Sequence, residues 1–180
     1  MTGCWVMVCG PSGAGKDSVI GWTQHALVRH PRVRFARRVV TRPAHPASDH
    51  EPVSAGEMAA LRAQGGLAWH WSAHGCDYGV PVRYAADVAL GRVVVVNGSR
   101  EHAMSLADCE DVRCVLVTAP EPVLRERLRA RGREDAAAVA QRIARNGRLP
   151  PAAADCVIAN TGGLDAAGAL LRDYLLRLVR

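Results

Sequence analysis

Lysine is almost missing from this 180-residue chain: of its 23 basic residues 22 are arginine and one, Lys16, is lysine. Aromatic residues are scarce as well, at 4% with a single phenylalanine, so alanine, valine and leucine must fill the core that a 49% apolar content builds. No apolar run approaches the roughly 18 to 20 residues that a membrane-crossing helix needs, and a soluble protein with no membrane span is expected. Residues 1–10 are apolar only briefly, carry no basic leader and run into a glycine-rich turn, which reads as a first strand rather than a secretion signal. The six cysteines (Cys4, Cys9, Cys76, Cys109, Cys114 and Cys156) lack C-x-x-C or Cys/His ligand spacing. That argues against zinc and for reduced thiols in a cytoplasmic protein. The net charge of +6 fits an acidic partner, whether nucleic acid, membrane surface or a polyanionic small molecule, and does not choose among them.

The pattern along the chain predicts one compact α/β domain over residues 1–180. Apolar, β-branched runs at 3–9, 35–40, 92–96, 112–117 and 156–159 predict strands. Helical periodicity predicts helices at 16–29, 55–64, 83–90, 121–130, 134–146 and 164–179, the second of them opened by a capping box of Ser54 and Glu57. This alternation favours a central parallel sheet flanked by helices. Two segments break the rhythm. Residues 41–81, rich in proline, histidine, glycine and tryptophan, read as an insertion that builds a binding surface rather than core. Residues 125–148 carry eight arginines, which fits either a mobile lid over about 129–148 or a solvated helix face balanced by Glu121, Glu126 and Glu134.

Gly10-Pro11-Ser12-Gly13-Ala14-Gly15-Lys16 follows a predicted strand and opens a predicted helix, as a Walker A phosphate loop requires. Its glycines let backbone N–H groups converge on phosphate oxygens, and the helix N-terminus adds partial positive charge. The solitary lysine falls where a compact, rotatable ammonium reaches the β- and γ-phosphates. Asp17 and then Ser18 follow, where a hydroxyl would ordinarily meet the metal. A carboxylate there repels nucleotide phosphates unless a divalent ion lies between them, so Asp17 and Ser18 predict magnesium, held directly or through water. The alternative makes Asp17 a first-turn acid favoured by the helix dipole.

Beyond the loop, Arg38-Val39-Val40-Thr41-Arg42-Pro43 ends the second predicted strand, and His74-Gly75-Cys76-Asp77-Tyr78-Gly79-Val80-Pro81 closes the insertion. With the phosphate loop, the arginines Arg131, Arg133 and Arg142, and a final strand running into Asn160, these resemble the guanylate-kinase superfamily of P-loop kinases over nearly the whole chain. Gly15-Lys16-Asp17-Ser18, Arg38 to Arg42, Asp49-His50 and Asn97-Gly98-Ser99-Arg100 look like one branch of it, the ribose 1,5-bisphosphate phosphokinases of phosphonate breakdown. Arg38 and Trp69 stand where guanylate kinases use a serine and a glutamate to read guanine, and cannot reproduce those contacts.

The resemblance implies ATP and Mg2+ as cofactors and ribose 1,5-bisphosphate as acceptor, phosphorylated to 5-phosphoribosyl 1-diphosphate. It implies that Gly10 to Ser18 hold the ATP phosphates and magnesium, and that Asn160 touches adenine. Arg38, Arg42 and Tyr78 would hold the acceptor phosphates, with Asp49 and His50 beside them, and Lys16, Arg131, Arg133 and Arg142 would act on the transferring group. Asn97 and Arg100, at the C-terminal end of a predicted strand, are candidates for ribose or phosphate contacts, a plain strand-end turn being the alternative. His50 serves equally as loop packing, and Trp69 and Trp71 read as hydrophobic cover. The acceptor phosphate is already anionic, so no general base is expected. Competing readings are a nucleoside-monophosphate kinase and a non-catalytic binding module of the same fold. Nucleic-acid binding lacks a recognition motif, and the expected assembly is a monomer or homodimer.

Overall fold

A computed structural model describes residues 2–44, 49–73, 75–130, 136–148 and 153–179. In chain order the elements are β1 (Cys4–Cys9), α1 (Lys16–Ala26), β2 (Val33–Phe35), β3 (Arg38–Val40), β4 (His50–Pro52), α2 (Ala55–Ala63), β5 (Leu67–Ala73) and β6 (Cys76–Pro81). They continue as α3 (Arg83–Ala89), β7 (Val93–Asn97), α4 (Arg100–Ser105), β8 (Val112–Thr118), α5 (Glu121–Ala130), α6 (Ala136–Arg148), β9 (Cys156–Ala159) and α7 (Leu164–Leu178).

β1 and β7 are near-continuous apolar runs because both of their faces are covered, as in parallel sheets generally. Val6, Val8, Val93 and Val95 point to a core filled from α1, α5, α6 and α7 by Val19, Leu124, Leu128, Val139, Ile143 and Leu171. Trp5, Met7, Cys9, Val94 and Val96 point the other way, against Tyr84 of α3, Ala103 of α4 and Val80 of β6. Each such fully buried valine contributes about 1.5–3 kcal/mol of hydrophobic stabilisation. The five-stranded sheet has the order β2-β7-β1-β8-β9, with every pair parallel. Strand order therefore reverses at β1, and a crevice opens beyond the carboxyl ends of β1 and β7, where open α/β sheets bind ligands.

The predicted strand over 35–40 is two strands in two different sheets. β2 pairs with β7, whereas β3 pairs with β4 and β6 in a second, four-stranded sheet of order β4-β3-β6-β5. The chain crosses between the sheets at Ala36 and Arg37, whose N–H groups bond to Val95 O (2.8 Å) and to the Tyr84 hydroxyl (2.9 Å). The insertion at 41–81 is accordingly more than a binding surface: it supplies β4, β5, β6 and α2, and buries Met58, Tyr78 and Val80. The short helix α4 also lies where the sequence predicts only a strand end. The capping box is present as expected, with Glu57 N donating to Ser54 Oγ (3.2 Å) and Ser54 N to Glu57 Oε2 (2.7 Å).

An aromatic column ties the second sheet to the first. Trp69 leans on Trp5 with ring centroids 4.3 Å apart, and Trp71 stacks on His102 of α4 at 4.4 Å and beside Tyr78 at 5.3 Å. The two tryptophans thus serve as cover. Burial, and to a lesser degree His70, lowers His102 to about 4, because charging a ring inside this column removes an ion from water. The unfolded chain then binds more protons than the fold between the ordinary histidine value and that depressed one. Stability from neutral His102 is complete above about pH 6.5 and is lost as pH falls towards 4. Urea unfolding between neutral pH and about pH 4.5 is expected to show a steeper loss for the wild type than for His102→Phe, which keeps the stack without the proton site; equal slopes would remove His102 from the acid response.

Candidate functional site

The phosphate loop joins β1 to α1 through backbone shapes that only glycine adopts without strain. Gly10 has φ 148°, and a Cβ there would stand 2.0 Å from Val117 O; Gly15 has φ 85°, and a Cβ there would meet Asn160 Nδ2 at 2.6 Å. The loop is braced from outside. Asn160 is 5% exposed and its Nδ2 donates to Ala14 O at 2.8 Å, with Arg127 Nη1 reaching the same oxygen at 3.5 Å. The amide N–H of Asn160 thus braces the loop backbone, a role that its place in the sequence does not announce. Inside the loop, Lys16 Nζ donates to Gly10 O (2.8 Å) and Pro11 O (3.2 Å). Burial lowers the ammonium to about 8, against the opposing pull of Asp17, so an arriving anion finds a cation short of solvation.

Asp17, the next residue, is exposed at the head of α1, and Asn97 Nδ2 at the end of β7 donates to its Oδ1 at 2.7 Å. Asp17, Ser18, Asn97, Arg38 and Asp49 share a cleft of about 330 Å³ with the apolar flank of Phe35 and Val95. No cluster of three or more His, Cys, Asp or Glu able to cage a metal exists among the described residues. One carboxylate and one hydroxyl suit a hard ion that completes its shell with water and phosphate oxygens, which is how Mg2+ is ordinarily held.

Across the cleft, β3 presents Arg38, which is 7% exposed, with its guanidinium carbon 5.4 Å from the centroid of the Tyr78 ring. Burial lowers the Arg38 guanidinium from its ordinary value, with Asp17 acting to raise it. Tyr78 is raised by burial while Arg42, Arg38 and Arg142 pull it down. Three cations therefore act on one phenol. Thr41 Oγ1 accepts from Asp77 N (2.8 Å), fixing the turn after β3.

His50 is 2% exposed, and its Nε2 lies 3.2 Å from Arg42 O. It is a strut for the Arg42 backbone, the packing role that the sequence leaves open beside substrate contact. Asp49 is exposed and paired with Arg37 Nε at 3.1 Å. Arg100, at the head of α4, donates from Nη1 to Asn146 O (2.9 Å), and Arg142 Nη1 lies 3.4 Å from Ser12 Oγ. Arg131 and Arg133, together with His74, fall outside the described residues. The structure thus brings together Lys16, Asp17, Ser18, Arg38, Asp49, Tyr78, Asn97, Arg100 and Arg142. Asn146, Arg127 and Arg37 escaped the sequence reading, although Arg142 and Asn146 are four residues apart on one helix face, a signal that was there to find.

The arrangement sets a phosphate loop across a cleft from buried Arg38, with further arginines nearby, which suits transfer between two polyanions. No known family profile matches the chain. A solved guanylate kinase from Anaplasma phagocytophilum aligns with a TM-score of 0.70 at 20% identity, over 98% of this chain and 86% of that one, and shows the fold. The ribose 1,5-bisphosphate phosphokinase PhnN of Acidiphilium cryptum is 43% identical over 176 residues, covering 98% of this chain and 94% of the relative. That of Pseudofrankia inefficax is 42% identical over 180 residues, covering 98% and 90%. With a guanylate-kinase fold, a phosphate loop of the expected geometry and such identity from end to end, this chain belongs to the ribose 1,5-bisphosphate phosphokinase PhnN family.

Proposed function

We propose that this protein transfers the γ-phosphoryl group of ATP to the 1-phosphate of ribose 1,5-bisphosphate, giving 5-phosphoribosyl 1-diphosphate and ADP, as a step of phosphonate breakdown. An oxygen of the acceptor phosphate forms the new P–O bond as the bond to the β-phosphate oxygen breaks, and ADP carries away that electron pair. The attacking oxygen is already anionic, so no side chain needs to take its proton. What remains is repulsion between polyanions and the demand for in-line geometry. The observation that carries the reading is Arg38: a guanidinium buried at 7% exposure against Tyr78 and facing the phosphate loop suits a permanent anion.

Lys16 and the loop N–H groups hold the ATP phosphates, while Arg38, Arg42 and Tyr78 hold the acceptor phosphate in line. Arg142 approaches from α6, and Arg131 and Arg133, which the resemblance assigns to the transferring group, lie outside the described residues. Asp17 and Ser18 are the residues that would hold Mg2+, which when bound neutralises phosphate charge. The protein acts in the cytoplasm, as a monomer or homodimer, on a free sugar phosphate. The runner-up is a guanylate kinase, which the fold favours. Trp69 opposes it, because its ring is packed on Trp5 and offers no acceptor for a base N–H. ADP release with Mg-ATP and ribose 1,5-bisphosphate, GMP or no acceptor separates the two: turnover with the sugar bisphosphate alone is expected, and turnover with GMP alone would overturn the reading.

A further inference from the structure

In α6 the pair Val139 and Ile143 is buried in the core beside Leu124 and Leu128 of α5, which turns the neighbouring stripe of Arg142 and Asn146 towards the phosphate loop. Asn146 meets two separate parts of the site there. Its Oδ1 is 3.4 Å from Ser12 N and 3.3 Å from Arg100 Nη2, its Nδ2 is 3.5 Å from Ser12 O, and its backbone carbonyl accepts from Arg100 Nη1 at 2.9 Å.

The Ser12 N–H belongs to the same peptide unit as Pro11 O, on which the Lys16 ammonium rests. That ammonium marks the β/γ end of a phosphate loop. One neutral carbonyl oxygen therefore sits at the reacting end of the loop, with a loop N–H and an acceptor-side guanidinium both directed at it. Two such donors converging on one oxygen form an arrangement that also suits a phosphate oxygen.

We infer that Asn146 is a positioning residue that delivers Arg100 to the transferring phosphoryl group when α6 lies on the loop. Arg100 starts a helix of six residues and has a long, flexible side chain. Two carbonyls of Asn146 fix its guanidinium, so the ordering of Arg100 depends on the position of α6. The amide suits this place because it accepts from both donors without adding charge, whereas a carboxylate would compete with the nucleotide phosphates for the same donors. The role of Arg100 in transfer rests on the function proposed above; the placement of Asn146 at the phosphate end of the loop does not.

Two measurements test it, each on full-length variants whose thermal melts match the wild type. In steady-state transfer to ribose 1,5-bisphosphate, Asn146→Ala is expected to lower kcat about tenfold with ATP KM changed less than about threefold. The Arg100→Ala, Asn146→Ala double variant is expected to match Arg100→Ala alone within about twofold, because the effects of coupled residues do not multiply. Multiplying effects, or an unchanged kcat in Asn146→Ala, would overturn the coupling.

Calorimetric binding of a Mg-bound, non-hydrolysable ATP analogue needs no acceptor. Asn146→Asp is expected to weaken it about tenfold or more and Asn146→Ala less than about threefold. Wild-type affinity in Asn146→Asp would overturn the placement whatever the acceptor proves to be. A wild type silent with the sugar bisphosphate but sensitive in this second assay would remove the acceptor reading alone.

Discussion

Replacing Lys16 with alanine is expected to lower kcat for phosphoryl transfer by about 10³-fold or more, a loss of about 4 kcal/mol of transition-state stabilisation. The ammonium lies on Gly10 O and Pro11 O, inside a loop whose shape is fixed by Gly10 and Gly15 and whose floor is held by Asn160. No neighbouring lysine exists to substitute for it. Burial has brought it to about 8, so the free protein holds it at some cost, and the alanine variant is expected to melt no lower than the wild type. Arginine at position 16 should not rescue, because a planar fork cannot replace a compact ammonium within the loop. Single-turnover rates with a thermal melt of each variant decide the matter. Wild-type turnover in Lys16→Ala would sink the assignment of the loop to catalysis.

Arg38→Met carries the second large effect. Arg38, proposed to hold the acceptor phosphate, is buried, and that burial already disfavours its charge. Burying a cation costs free energy, so Arg38 is expected to serve an arriving anion rather than stability. The variant is expected to lose about 10²-fold in kcat/KM for the acceptor, to keep its ATP KM within about threefold, and to be as stable as the wild type or more so. Initial rates over a matrix of both substrate concentrations separate the two sides. A change confined to ATP KM would move Arg38 out of the acceptor site, and a sharp fall in melting temperature would make it a structural residue.

Both predictions concern residues that the chain displays openly, yet the two were legible for different reasons. The phosphate loop is local: seven consecutive residues fix the backbone path, place the glycines where φ is positive and set the lysine at the helix start. Reading the sequence recovers it along with β1, the N-terminal capping box of α2 and most helices. The acceptor half is not local. Period-two patterning marks 35–40 as extended but carries no information about a change of sheet at Ala36–Arg37, since that depends on partners in β6 and β7. The hairpin of β5 and β6 was hidden in a segment whose proline, glycine and tryptophan content resembled a loop, although the Gly75 turn, at φ 73°, was its signal.

Asn160 and His50 show the same limit from the other side. Their places in the sequence suggested ligand contacts, and the structure adds what no local pattern shows: both are buried and bonded to backbone, at Ala14 O and Arg42 O. Sequence by itself determined that this chain has a nucleotide-phosphate loop, an α/β fold to carry it and arginines enough for a polyanionic partner. Only the tertiary structure decided which of those arginines meet, because strand pairing, the seating of α6 on Ser12 and the burial of Arg38 join residues far apart in the chain through hydrogen bonds and packing that local pattern does not encode.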